Sequence, residues 1–414
     1  MGRLLEALVP ARLGVGFRWV LGSSWLTNLG DGIVLAAGPL LVASLTEDAR
    51  LVALGATLQW LPPLLFGLLA GALSDRLDRR RLVIVVNLVR AGVLVLLATA
   101  IVTGHVSIGI VLGALFLLGT SEVFADNTAS TLVPMLVRRD DLAVANARIQ
   151  AGFITVNQLA GPPIGAAMFA AASAVPFAAE AVLVVAGAVL VSRLRLPAHG
   201  RDRAEAHIGQ DIADGVRFAV RHPAVRTLIL TIFTFNITFG AAWSVLVLYA
   251  TRRLGMGEVG FGLLTTVSAA GGLVATLAYG WITRHVSMAD LMRIGLVIET
   301  LTHVALALTT QPWVALVIMF VFGAHAFVWG TTSITIRQRV VPLPLQGRVN
   351  SVNVVGSFGG LVIGSLIGGN VAQHWGVTAP FWFAAAGSAV FVVAIWRQLR
   401  HIALADASPV VDER

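Results

Sequence analysis

Ionisable side chains lie within long apolar stretches of the chain, where their chemistry differs most from that in water. Asp31, Glu122, Glu299 and His325 fall near the middle of such stretches, and His303 lies one helical turn after Glu299. A charge at the centre of a bilayer costs about 2.5–3.5 kcal/mol on insertion scales, so each of these residues marks a functional hypothesis. An apolar environment favours the neutral form of an acid, which makes the carboxylates candidates to bind protons or a substrate.

Two of these acids have polar neighbours at helical spacing. Asn28 lies one turn before Asp31, and the two give one helix a polar face. Glu122 and Asp126 are four residues apart, and two like charges on one face favour protonation of one of them. We expect Arg90, at a similar depth, to pair with Asp126 as a structural bridge. Asp31 is the first choice for a proton-coupling acid and Glu122 the second, and the competing interpretation is that Asp31 hydrogen-bonds a neighbouring helix and never titrates.

The second half of the chain offers a further group. Glu299 and His303 can form a hydrogen-bonded pair within one helix, in a coupling role or a supporting one. His325, with Trp329 one turn later, is a candidate site residue, although a buried histidine is more often a packing residue. Asn236 is a further polar candidate.

The composition places much of the molecule in lipid. The 414 residues are 57% hydrophobic and 12% charged, whereas a soluble globular protein is about 25% charged. The absence of cysteine excludes disulfides, thiolate metal sites and cysteine nucleophiles. The net charge of +8 comes from arginines in short clusters between apolar stretches, as in membrane-flanking loops rather than a nucleic-acid groove. We predict no catalytic residue, metal site, cofactor or nucleic-acid partner.

Twelve segments are long and apolar enough to cross a membrane, since a spanning helix needs about 20 apolar residues. With the N-terminus placed in the cytoplasm, the cytoplasmic segments hold 25 arginines and the outer loops hold three. Positive charge concentrates on the cytoplasmic side, so we predict both termini there. The predicted spans are 16–45, 50–73, 82–103, 107–137, 142–171, 175–193, 224–252, 257–283, 289–309, 312–338, 348–373 and 377–397.

The longest loop divides these spans into two sets of six. We predict an N-terminal bundle over 1–193, a cytoplasmic linker over 194–223, a C-terminal bundle over 224–400 and a tail over 401–414. Apolar residues recur at helical spacing from Ile208 to Ala219, which predicts an amphipathic helix at the membrane surface or, equally, a solvated linker helix. A weak internal repeat relates the halves: Leu132-Val133-Pro134 follows the fourth span, and Val340-Val341-Pro342 follows the tenth.

The loop after the second span carries the most specific motif. It reads Gly71-Ala72-Leu73-Ser74-Asp75-Arg76-Leu77-Asp78-Arg79-Arg80-Arg81. This resembles the major facilitator superfamily signature G-x-L-x-D-R-x-G-R-R at every fixed position except Asp78, where glycine is usual. The resemblance implies an all-α membrane fold of twelve transmembrane helices in two six-helix bundles. It also implies a conformational latch in which Asp75 contacts the positive N-terminus of the eleventh helix. The implied latch residues are Gly71, Asp75, Arg76, Arg79, Arg80 and Gly347.

The fifth span contains Gly161-Pro162-Pro163-Ile164-Gly165, which resembles the core G-P-x-x-G of the superfamily's antiporter motif. Small residues let membrane helices approach closely, so ordinary packing accounts for the segment as well as antiport does. Asn157 stands where the motif has a further glycine. The family's fourth-span arginine is absent, and a proton relay based on it cannot be carried over.

Within the superfamily, the chain resembles bacterial exporters that include macrolide, tetracycline and enterobactin-type efflux proteins. The supporting residues are Gly30-Asp31-Gly32, Glu122, and Gln338-Arg339-Val340-Val341-Pro342 with Gly347-Arg348-Val349. The resemblance implies a monomeric, proton-coupled efflux transporter for hydrophobic small molecules, cationic ones included, in the bacterial inner membrane. A dedicated exporter of an endogenous metabolite such as a siderophore is the alternative, and an uptake carrier is the third.

An enzyme or haem protein is a distant alternative. The chain has neither an H-E-x-x-H metalloprotease motif nor a phosphate-binding G-x-x-x-x-G-K-S/T loop. Haem ligation across helices would need facing histidines, and His303 and His325 are the two deeply placed ones. We therefore predict a transporter that uses the proton gradient and is not an enzyme.

Overall fold

A computed structural model describes residues 11–195 and 208–396, apart from the side chains of residues 11, 72, 75, 208–212 and 344. The regular elements in these residues are all helical, which confirms the predicted all-α class. The tail at 401–414, part of the linker and the side chain of Asp75 lie outside the described residues.

The first half of the described chain contains seven long helical segments. A π-helical segment, Phe153–Ala160, joins the helices Leu142–Gly152 and Gly161–Ala171, so the two form one continuous rod. The helices are α1 (Gly14–Leu45), α2 (Ala49–Arg76), α3 (Arg79–Val102), α4 (Ile108–Ser130), α5 (Leu142–Gly152), α6 (Gly161–Ala171) and α7 (Val175–Ser192).

The second half begins with a helix in the linker and continues with six apolar helices. They are α8 (Ile208–Arg221), α9 (Pro223–Trp243), α10 (Glu258–His285), α11 (Met288–Leu308), α12 (Pro312–Val340), α13 (Gln346–Trp375) and α14 (Ala379–Ile395).

Polar N-caps define the first residues of α3 and α11, two helices that carry buried charged residues. The side chain of Asp78 accepts a hydrogen bond from the backbone N–H of Arg81 at 2.8 Å and begins α3. Ser287 accepts from the backbone N–H of Asp290 at 3.1 Å and begins α11. Such caps satisfy backbone donors that a helix cannot pair internally.

Ten helices in the described chain have the length and composition to cross a membrane: α1 to α4, α7 and α9 to α13. The α5–α6 rod and the shorter apolar α14 are helical as well. Large apolar side chains face outward from several of these helices, with Leu96 71% and Leu277 80% exposed. Such surfaces are unfavourable in water and suit a lipid environment.

The described chain divides into two compact units. The first holds residues 11–47, 58–195 and 257–266, and the second holds 48–57, 208–256 and 267–396. In the first unit α1 packs against α6 and α7, and α3 packs against α4 and α7. In the second unit α9 packs against α13 and α14, and α11 packs against α12 and α14. The same four pairings therefore recur in chain order, and a 3-10 turn precedes both α5 and α13.

The linker helix α8 packs against the beginning of α13. Arg348 Nη1 donates to Asp214 Oδ2 at 2.9 Å, and Ala219 joins a small apolar cluster with Val225, Val341 and Val349. The linker helix α8 is thus a packed element of the second unit.

Candidate functional site

Arg90 is the centre of a buried charged group in the first unit. It lies on α3 and is 4% exposed. Its Nη2 donates to Asp31 Oδ1 on α1 and to Glu180 Oε1 on α7. A buried charge is tolerated when it is paired and hydrogen-bonded, so the three side chains compensate one another and connect three helices.

Glycine on α1 makes room for this group. A Cβ at Gly30 would lie 2.9 Å from Glu180 Cγ, which is closer than ordinary contact. The fully buried Glu180 side chain therefore occupies the space that a larger residue at position 30 would need.

A glycine seam next to Asp31 fixes the position of α1 against the α5–α6 rod. A Cβ at Gly32 would lie 2.3 Å from Asn157 O, and one at Gly165 would lie 2.1 Å from Ile33 O. A Cβ at Gly161 would lie 2.5 Å from the Cα of Gly32. The residues of the antiporter-like motif, with Pro162 buried between them, thus form the surface on which the Asp31 segment of α1 rests.

Two further carboxylates belong to the same region. Glu122 on α4 is half-buried and Asp126 is exposed, and both lie close enough to Asp31 and Arg90 to interact electrostatically with them. We call Arg90, Asp31, Glu180, Glu122 and Asp126 the arginine cluster. It contains four carboxylates and one guanidinium, and its accessibility increases from Glu180 to Asp126.

The sequence predicted that Arg90 pairs with Asp126, and the structure gives Arg90 two other partners. The reason is packing: α7 lies along α3 and brings Glu180 to the guanidinium, whereas Asp126 points to an exposed surface. Arg90 Nε and Glu180 Oε2 are buried polar atoms without a hydrogen-bond partner. Ion pairs therefore hold the group together, although these two polar atoms make no hydrogen bond.

Glu180 is the residue to which sequence reasoning assigned no role. It is the one charged residue in the apolar segment Val175–Ser192. A charge that interrupts an apolar span is by itself a functional signal, and that signal was present in the sequence. The sequence did not show that Arg90 is the partner of Glu180, because α3 and α7 are far apart along the chain.

Two predicted polar residues lie elsewhere. Asn28 Nδ2 donates to the carbonyl of Ser24 at 2.7 Å and is engaged with its own helix. Asn236, on α9 of the second unit, is half-buried against α13, where a Cβ at Gly360 would lie 2.8 Å from Asn236 Cβ. Neither is placed by its described contacts in the arginine cluster.

The predicted residues of α11 and α12 do come together. Glu299 Oε2 lies 2.8 Å from His325 Nε2, and Glu299 Oε1 lies 3.3 Å from His303 Nε2. We call these three residues the Glu–His–His triad. Trp329 lies on the same face of α12, one turn after His325.

Two arginines of the predicted latch, Arg79 and Arg80, make contacts within their own unit. Arg79 Nη1 donates to Met135 Sδ at 3.3 Å, and Arg80 Nη2 donates to the carbonyl of Ser192. Because the side chain of Asp75 lies outside the described residues, its contact with the start of α13 stays a prediction.

Apolar helices that enclose paired charged side chains are typical of multi-pass membrane transporters. A family model described as "Transmembrane secretion effector" matches residues 6–411. The chain belongs to this family of the major facilitator superfamily, which confirms the resemblance seen in the sequence.

Individual relatives agree with this assignment. The chain is 29% identical over 386 residues to the multidrug efflux pump Tap of Mycolicibacterium fortuitum, with 87% of this chain and 90% of that protein covered. The nucleoside transporter NupG has a similar solved structure, with a TM-score of 0.74 at 12% identity, covering 94% of this chain and all of that one. A bacterial homologue of the iron transporter ferroportin gives a TM-score of 0.66 at 15% identity over 95% and 98% of the two chains. The family description and the name of the related efflux pump indicate a transporter rather than an enzyme, and the solved structures show the fold alone.

Proposed function

We propose that the protein exports hydrophobic small molecules, cationic ones included, from a bacterial cell by proton antiport with alternating access. The arginine cluster is the observation that carries this proposal. The similarity to a multidrug efflux pump supports the direction of transport and the class of substrate.

Charge imbalance is what makes the cluster suitable for coupling. One guanidinium faces four carboxylates, so full ionisation would leave an excess of three negative charges. An apolar interior disfavours such an excess, and either bound protons or a cationic substrate can compensate it. Protons and substrate then compete for the same carboxylates, which is the requirement for antiport.

The proposed setting is an inner-membrane monomer with twelve spans and both termini in the cytoplasm. The N-terminal bundle at 1–193 and the C-terminal bundle at 224–400 would alternate in access to the two sides. Asp75 would latch one of the two states through the start of the eleventh span, at a cost small enough to be reversed in each cycle.

Asp31→Asn tests this function most directly, because it keeps the shape of the side chain and leaves Arg90 paired with Glu180. In proteoliposomes with an imposed pH gradient and a panel of labelled hydrophobic cations, we expect at least a tenfold loss of uphill transport. Binding of the cationic substrates should weaken and lose much of its dependence on pH, because substrate and protons compete for this carboxylate.

Asp140→Asn is the matched control, since Asp140 is an exposed acid in the loop before α5. It should transport at the wild-type rate. Wild-type uphill transport by Asp31→Asn would refute the role of Asp31 and make Glu122→Gln the next variant. A panel that yields one transported metabolite and no drugs would favour a dedicated exporter.

A further inference from the structure

The Glu–His–His triad is a second buried group of titratable side chains, separate from the arginine cluster. The side chains of Glu299 and His325 are 9% and 7% exposed, and that of His303 is fully buried. Glu299 and His303 lie on α11 and His325 lies on α12, so the carboxylate bridges two imidazoles across a helix–helix contact.

The surroundings of the triad are apolar and aromatic. The ring of Trp243 meets His303 edge to face at 6.0 Å between centroids, and Phe322 meets His325 in the same way at 5.4 Å. A Cβ at Gly295, one turn before Glu299, would lie 2.7 Å from Trp329 Cδ1 and 3.5 Å from His325 Nδ1. Glycine at that position therefore leaves room for the two rings.

Several polar atoms in this group have no hydrogen-bond partner. They are His303 Nδ1, His325 Nδ1 and Trp329 Nε1, and His303 Nε2 makes its 3.3 Å contact with Glu299 without the geometry of a hydrogen bond. Buried polar atoms are normally satisfied, and a concentration of unsatisfied ones needs a reason. Proton binding would explain them, because a histidine ring nitrogen without a partner can gain a proton next to the carboxylate. In the part of the chain that the structure describes, no three such residues are arranged to hold a metal ion.

Glu299 occupies the same position along α11 as Arg90 occupies along α3, and the two residues have opposite charges. Arg90 lies twelve residues after the helix cap Asp78 on α3, and Glu299 lies twelve residues after the cap Ser287 on α11. The helices α3 and α11 also have the same packing partners in their units. One unit thus has a cation among acids, and the other has an acid among bases at the same register.

Other charged or titratable groups on the surrounding helices lie towards the helix ends. No titratable residue occurs in α14, and Asp290 and Arg293 pair with each other at 3.1 Å. On α9, α10, α11, α12 and the turn after α9, the groups are Arg226, Tyr249, Arg252, Arg253, Glu258, Tyr279, Arg284, His285, Asp290, Arg293, Arg337 and Arg339. The protonation of the triad is therefore governed mainly by its own three members.

We propose that Glu299, His303 and His325 form a second proton-binding site, which deepens the proposed antiport and rests on it. With one bound proton the triad is electrically neutral, as an apolar interior favours. The proton moves between ring nitrogens and the carboxylate without any other reactant.

Proton binding by purified protein in nanodiscs tests the site without transport. Between pH 8 and pH 5 we expect Glu299→Gln to bind about one proton fewer than the wild type, because the imidazolium loses its counter-ion. Glu258→Gln removes an exposed acid of the same half and should match the wild type in this range. Equal titration curves for the two variants would overturn the proposal.

His325→Gln serves if Glu299→Gln does not fold. In the same proton-binding measurement it should bind fewer protons than the wild type between pH 8 and pH 5, with Glu258→Gln again as the control. In transport, His325→Gln should reduce the ratio of rates at pH 5.5 and pH 7.5 at least threefold. A merely structural role would lower both rates equally.

The two proposals fail separately. If Asp31→Asn transports normally, the measurement of proton binding in nanodiscs still tests whether the triad binds a proton. If the triad does not titrate, proton coupling by the arginine cluster stands unaffected.

Discussion

At the scale of single residues, the decisive feature is a cation that three helices share. Arg90 donates to Asp31 and to Glu180, and its partners are themselves buried. Removing one member of a buried pair leaves an uncompensated charge, at a cost of about 3–5 kcal/mol. By contrast, Arg50 and Asp48 form an exposed pair at 2.6 Å, where solvent screens the interaction. There the Arg50 guanidinium lowers the pKa of Asp48 through a side-chain hydrogen bond.

We therefore expect Arg90→Ala to lower the melting temperature in detergent clearly and to abolish transport. Arg90→Lys keeps the charge but not the planar fork of donors, so it should recover stability in part. Arg50→Ala is the control and should melt like the wild type. Wild-type stability of Arg90→Ala would mean that Asp31 and Glu180 are neutral without their partner.

At the scale of helices, close glycine contacts set the distance between α1 and α6 and between α9 and α13. A Cβ at Gly165 would lie 2.1 Å from Ile33 O, and a Cβ at Gly364 would lie 2.2 Å from Ile237 O. The obstacle is backbone in both cases, so the helices must separate to accept a methyl group. The G-P-x-x-G motif is thus a packing surface, and it places Asp31 at the same time.

Gly165→Ala should destabilise the protein by about 1–3 kcal/mol through overpacking and reduce transport, because α1 shifts relative to Arg90. Gly113→Ala on α4 is the control, since a Cβ there would meet no atom within 4 Å. Thermal unfolding in detergent compares the two. If both variants melt like the wild type, the seam does not limit the approach of the helices.

At the scale of the whole molecule, two units with the same helix pairings carry charged groups at the same register. The arginine cluster lies in one unit and the Glu–His–His triad in the other. The two proposals together give each unit one place at which a bound proton would change its net charge. In both places the bound proton would reduce an excess of negative charge.

The chain is also suited to a test of its proposed orientation, because it has no cysteine. His105→Cys places a thiol in the exposed loop after α3, and Asp140→Cys places one in the exposed loop before α5. In intact cells, an impermeant maleimide should label position 105 and not 140. After permeabilisation it should label both, and the reverse pattern in intact cells would contradict cytoplasmic termini.

Much of this protein could be derived from the sequence because hydropathy and helical periodicity are local properties. In lipid each backbone group must be satisfied within its own helix, so apolar stretches define helices without knowledge of their neighbours. The same logic identifies Asp31, Glu122, Glu299 and His325 as special, since charges are costly there. The signature at Gly71–Arg81 was sufficient to indicate the superfamily.

Only the tertiary structure decided which of these residues meet. Arg90 was expected to pair with Asp126, and it pairs with Asp31 and Glu180 because α1 and α7 present those acids to it. His325 on α12 contacts Glu299 on α11, whereas the sequence analysis treated these two residues as separate candidates. Pairing depends on how each helix is rotated against its neighbours, and that rotation is set by long-range contacts such as the glycine seams. No pattern along a single helix contains this information.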